Sequence, residues 1–173
     1  NTNGVSLEGD FGVIENFVLD AGVFDIGTSK LTLTQAVATG GSFGTTLMIE
    51  TAGNSSDGGV EFYFDGMTTD PASILYPIGA NSKYTPASVD LHEVFDDGFI
   101  QVNPVDAELL TTELTGGDLL DYYWRVRNSS FSTLPDVTTL TFTADASDDP
   151  TGGPLTSFVP GGVEDGVDSD DSP

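Results

Sequence analysis

The stretch VFDIGTSKLTLT, running from Val23 to Thr34, holds two strands joined by a minimal turn. Side chains alternate across a strand. That alternation sets Phe24 and Ile26 against Val23, Asp25 and Gly27, then Leu31 and Leu33 against Thr32 and Thr34. One face is dry and one is wet. Outward from this stretch the same text recurs as VSLEG, FGVIE, FVLDA, TTLMIET and VEFYF, each closed by Gly, Asn, Asp or Ser. No segment sustains apolar residues at i, i+3, i+4 and i+7, so the chain is predicted to be all-β. Through residues 1–66 the strands are very short and their turns minimal, which suits the rungs of a short β-solenoid, although the spacing drifts too much to fix a rung length.

After Gly66 the strands lengthen. ASVDLHEV, GFIQVNPV, LLDYYWRVRN and VTTLTFTAD read as a β-sandwich over residues 67–146, packed against the solenoid-like part. Period two puts Tyr122, Trp124 and Val126 on a core face and Tyr123, Arg125 and Arg127 on the opposite one. Residues 107–120 read as an irregular crossover or another strand. From 147 to 173 the composition turns to Asp, Gly, Pro and Ser, the mark of an acidic linker or tail.

The chain has 173 residues with 28 Asp and Glu against 4 Lys and Arg, a formal charge of −24, one histidine and no cysteine. Such a polyanion is repelled by nucleic-acid phosphates and anionic membranes, and no apolar run approaches the roughly 20 residues of a membrane span. Without cysteine there is no disulfide framework, thiolate nucleophile or zinc finger. His92, alone, has no nucleophile motif beside it, and the few rungs are too short to build the groove on which β-helical polysaccharide enzymes place paired carboxylates. No catalytic residue is assigned, and the chain is expected not to be an enzyme. Two causes fit the acidity: salty surroundings, in which crowded carboxylates are screened, or a surface that gathers divalent cations.

Calcium is the one metal the acids suggest. Asp96 and Asp97, followed by Gly98, and Asp165, Asp168 and Asp170 in the tail bring hard oxygen ligands close together with glycine to bend the chain, but neither group completes a D-x-D-x-D-G frame. Among the four cations, Arg125 and Arg127 share a strand face with Tyr123, where they pair with neighbouring carboxylates or contact a partner or glycan. In YPIGANSKYTP, residues 76–86, Pro77 and Pro86 fix φ and Gly79 permits a positive φ, giving a rigid turn between two layers.

That run, with FVLDAGVFDIGTSKLTLT before it, VEFYFDG between and YYWRV after, resembles a module of large secreted surface proteins of Bacteroidota-type bacteria, adhesins and filament proteins exported by the type IX route. The resemblance spans roughly residues 17–142. It implies the end of a β-helical stretch capped by a β-sandwich, an extracellular or cell-surface location, and a structural or adhesive role. The expected partners are further copies or neighbouring modules of the same surface protein, met through strand edges and ends. The alternative is a carbohydrate-binding module with Tyr63, Tyr122, Tyr123 or Trp124 as stacking platforms. It loses its best residues if Tyr122 and Trp124 are buried.

Overall fold

The computed structural model describes residues 4–66, 72–94, 96–108, 120–133 and 136–148. Its regular structure is β throughout apart from one 3-10 turn at Ala146–Asp148. Six short strands open the chain: β1 (Val5–Ser6), β2 (Phe11–Val13), β3 (Gly22–Gly27), β4 (Lys30–Leu33), β5 (Leu47–Thr51) and β6 (Gly59–Phe64). Seven follow: β7 (Ala72–Tyr76), β8 (Ile78–Ala80), β9 (Lys83–Tyr84), β10 (Ala87–Glu93), β11 (Gly98–Val105), β12 (Tyr123–Ser129) and β13 (Asp136–Phe142).

They form three sheets, ordered β1-β3-β5-β8-β9, β12-β11-β6-β4-β2 and β13-β10-β7. The first two are mixed and the third antiparallel. Up to β6 the chain alternates between the first sheet and the second, so each strand lies parallel to the one before it on the same side. Val5 pairs with Phe24, Phe24 with Ile49 and Ile49 with Ile78. On the other side Phe11 pairs with Leu31 and Leu31 with Val60. A parallel bridge from Val18 to Ala38 adds a third contact between successive passes.

Acidic side chains tie these passes together. Lys30 N donates to Asp10 Oδ1 at 2.8 Å and Gly40 N to Asp20 Oδ1 at 2.9 Å, in each case from the residue twenty positions on. Ser82 N donates to Glu50 Oε1 at 2.6 Å. Some of the acidity is therefore structural, since a carboxylate is a strong acceptor for a turn amide that has no strand partner.

The alternation read in VFDIGTSKLTLT holds: Ile26, Leu31 and Leu33 are buried while Asp25 is exposed. They join Ile49, Val60, Phe62, Tyr76, Ile78, Val89, Leu91 and Val102 in one apolar cluster. Phe62 meets Tyr76 edge-on, centroids 4.8 Å apart, and Tyr76 Oη donates to Ile100 O at 2.8 Å, so the one polar atom of that ring is satisfied inside the core. The expected division at residue 66 does not separate the sheets, because β5 pairs with β8 and β6 with β11 across it.

Pro77 and Pro86 stand where the chain changes sheet. Pro77 separates β7 of the third sheet from β8 of the first, and Thr85-Pro86 carries it back from β9 to β10. Neither proline has an N–H to leave unpaired at the corner, and their carbonyls accept from Ile49 N and Thr143 N. Gly79 is not at positive φ. Asn81 (φ 50°) and Ser82 (φ 63°) form the hairpin turn, while Gly79 is needed for space: a Cβ there would lie 1.9 Å from Lys83 O.

The inward course of Tyr122-Trp124 also holds, but Val126 is exposed. Strand β12 is the edge of its sheet, and from Val126 onward all its residues are exposed.

Candidate functional site

Four local environments carry the polar and exposed apolar chemistry. The first encloses Lys83. Its Nζ bonds Asp106 Oδ1 at 2.6 Å and also Asp148 Oδ1, and it lies 5.8 Å from the centroid of the Tyr122 ring. Asn81 Nδ2 donates to the other oxygen of Asp106. The side chain of Asp148 is 0% exposed, and its Oδ2 has no hydrogen-bond partner among the described residues. Burial raises the Asp148 carboxyl above the usual carboxylate range. Lys83 opposes this, and the charges of Asp106 and Asp145 add to it. Burial pulls Lys83 down, but the hydrogen bonds it donates to Asp106 and Asp148, with their charges, outweigh this and hold the ammonium above its ordinary value. A carboxylate shut from solvent holds the fold together and has no access to a substrate. Nothing in the spacing of the sequence places Asp106 or Asp148 beside Lys83.

The second environment contains Asp96 and Asp97, which do not converge on a common point. Asp96 Oδ2 accepts from Ser132 Oγ at 2.6 Å and Thr133 N at 2.8 Å; Asp97 Oδ1 accepts from Gly66 N at 2.8 Å. Both staple loops. Among the described residues no group of three or more acidic or histidine side chains is arranged to hold a metal ion. Asp165, Asp168 and Asp170 lie outside the described residues.

These bonds have a pH signature. The Ser132 and Thr133 bonds lower the Asp96 carboxyl, the Gly66 and Tyr63 bonds lower Asp97, and the backbone and hydroxyl of Ser147 lower Asp145. A depressed folded pKa contributes stability above the unfolded value, about 3.9, that is lost as pH falls through the folded one. Asp148 has the opposite sign, because its raised folded pKa makes the native state bind more protons, so acidification toward about pH 4 relieves it. Relief of self-repulsion adds to that rise. Thermal melts at fixed ionic strength are expected to peak in mildly acidic buffer and fall below about pH 4. Asp148→Asn should reduce the rise and leave the acid fall in place.

The third environment contains the aromatic residues. Tyr122 is buried, with its hydroxyl on Thr85 Oγ1, and Trp124 packs between Tyr122 and Phe142 with Nε1 donating to Thr85 O at 2.9 Å. Tyr122 is enclosed, and Trp124 is partly buried. Tyr63 and Phe99, a directly paired couple on β6 and β11 with centroids 5.3 Å apart, are only partly covered. Tyr123, Arg125 and Arg127 lie opposite Val105, Asn103 and Gln101, which puts them on the same side of the sheet as Phe99. Arg125 also donates to Ser55 O.

The fourth is the end formed by β1 and β2, each with a single strand neighbour among the described residues. Exposure along each ladder runs in one direction. Phe11 is 53% exposed, whereas its stack-mates Leu31 and Val60 are at 0%; Val5 is 63% exposed, whereas Ile49 and Ile78 are at 0%. Ile14 (83%) and Val18 lie exposed on the same pass of the chain.

No protein-family profile, curated protein or solved structure matches this chain.

Proposed function

We propose that this chain is a non-enzymatic structural module of an extracellular surface assembly, and that it associates through the β1/β2 end. The two parallel ladders are read as successive turns of a short β-solenoid whose next turn comes from a second copy or a neighbouring module. The observation that carries this reading is the exposure gradient. The ladder positions filled by Leu31 and Ile49 deeper in the stack are held at the end by Phe11 and Val5, apolar side chains that are more than half exposed and have no further strand beyond them among the described residues.

A stacked repeat is stabilised by its neighbour, and an end turn exposed to water in a monomer normally carries a polar cap. Here it carries four apolar residues and two open strand edges. The opposite end of each ladder is closed by antiparallel strands: β9 on β8, and β11 on β6. Among the described residues, the end left without a covering strand on both ladders is thus the β1/β2 end. Of the strand edges and ends expected from the sequence to meet a partner, the one proposed is the β1/β2 end, where two copies pair head to head. The negative charge opposes approach elsewhere and is screened by salt. The resemblance of the YPIG-to-YTP run to bacterial surface modules supports the location outside the cell.

Sedimentation of the isolated chain tests the reading. Self-association is expected to strengthen with salt, and the double substitution Phe11→Asp and Ile14→Asp should abolish it while leaving the melting temperature within a few degrees, since neither side chain is core. Association unchanged in the double variant would remove the basis for this function.

A further inference from the structure

We infer that Lys83 and Asp106 join covalently after folding, through an amide between Nζ and Cγ formed with loss of one water, and that this bond braces the first sheet to the second. Lys83 lies on β9, an edge strand of the first sheet among the described residues, and Asp106 directly follows β11 of the second. Nζ and Oδ1 are 2.6 Å apart, in a place where the Lys83 side chain is 24% and the Asp106 side chain 14% exposed. The chain has no cysteine, so no disulfide supplies a brace of this kind.

The neighbours of this pair fit the reaction. Asn81 Nδ2 donates to Asp106 Oδ2, the oxygen that stays as the amide carbonyl and carries the negative charge while Nζ adds to Cγ. Asp148 Oδ1 bonds the same Nζ, its side chain has no solvent exposure, and its Oδ2 has no partner among the described residues. Asp148 takes a proton from the adding nitrogen and returns it to Asp106 Oδ1, the oxygen that leaves. The buried Tyr122 ring, its centroid 5.8 Å from Nζ, adds apolar cover.

No further reactant is needed. The C–N bond forms, the Cγ–Oδ1 bond breaks, and the surplus protons of the ammonium leave with that oxygen as water. Folding favours the step, because groups held in contact reach effective concentrations of about 10⁵ M or more, far above those of separate molecules. The ammonium is held above its ordinary value, so the neutral amine that attacks is scarce and the step is slow. Newly folded chain therefore carries the ion pair, and the amide accumulates from it. Association through β1 and β2 plays no part in this chemistry.

Mass spectrometry of the full chain, sampled over days at neutral pH after refolding, tests it. A species lighter by one water is expected to accumulate. Succinimide formation at an Asp-Gly bond gives the same mass change, and trypsin separates the two: an acylated Lys83 is not cleaved, so residues 31–125 stay in one peptide whose fragments carry the Lys83–Asp106 link. Lys83→Arg should abolish the species, and Asp148→Asn should slow it about a hundredfold, the scale of a lost proton transfer. The wild-type result decides whether or not these variants fold. Wild-type protein that keeps its full sequence mass, water loss with Lys83 still cleaved, a link to Asp148 in place of Asp106, or unchanged accumulation in Asp148→Asn would each overturn the assignment.

Discussion

Replacing Lys83 with Met is expected to lower stability by about 3–5 kcal/mol, the range for removing one partner of a buried ion pair. Lys83 is the only cation near Asp148 among the described residues, and the Asp148 side chain has no solvent exposure. Met fills most of the same volume, so the loss is electrostatic more than steric. Asp106 keeps Asn81 and some access to water, whereas Asp148 is left as a buried charge with no counterion. A melting-temperature drop of ~10 °C follows for a domain of this size. Two further measurements separate this cause from a general packing defect. The double variant Lys83→Met with Asp148→Asn should recover much of the loss, a positive coupling between neighbours. The single variant's deficit should also shrink as pH is lowered toward 5, because protonating Asp148 removes the uncompensated charge. A deficit independent of pH, or strictly additive substitutions, would contradict the role given to this pair.

Gly79→Ala is the second large effect, expected to cost about 3 kcal/mol, the upper range for forcing an atom into a packed site. Its Cβ would meet Lys83 O at 1.9 Å and Met48 Sδ at 2.9 Å. The sulfur can move; the carbonyl belongs to the strand that pairs with β8. The β8–β9 hairpin would have to open, displacing Lys83 from Asp106 and Asp148 at the same time. Equilibrium urea unfolding should show a lower midpoint, and hydrogen exchange should show lost protection at the Thr85 amide, which bonds Ile78 O. By contrast, Ser82→Gly should be neutral or slightly stabilising, because Ser82 has positive φ, where glycine is unstrained. A wild-type midpoint for Gly79→Ala would show that the two strands separate without cost.

The all-β class and the wet and dry faces of β3 and β4 were legible because period-two alternation is local, and Asp25, Thr32, Leu31 and Leu33 report it directly. Pro77 and Pro86 were legible as corners because a missing N–H is a property of the residue itself. Gly79 was misassigned because glycine serves two purposes, positive φ and close approach, and which one applies depends on Lys83 O, a partner the sequence does not place. The same limit hid the Lys83 cluster, whose members at 83, 106 and 148 come together only through the sheet order. The adjacent carboxylates of Asp96 and Asp97 suggested a shared ion, yet each turns to a different loop, Asp96 toward Thr133 and Asp97 toward Gly66. Tyr123, Arg125 and Arg127 were legible as one strand face. Lys30 joins them only because β4 and β12 belong to one sheet.

Amide hydrogen exchange of β1 and β2 as a function of protein concentration tests the central claim most directly. If the open end is the association surface, the amides of Val5–Ser6 and Phe11–Val13 that do not bond β3 or β4 should gain protection as concentration and salt rise, while β7 and β13 remain unchanged. Free exchange of the β1 and β2 amides in a sample that sedimentation shows to be associated would contradict it.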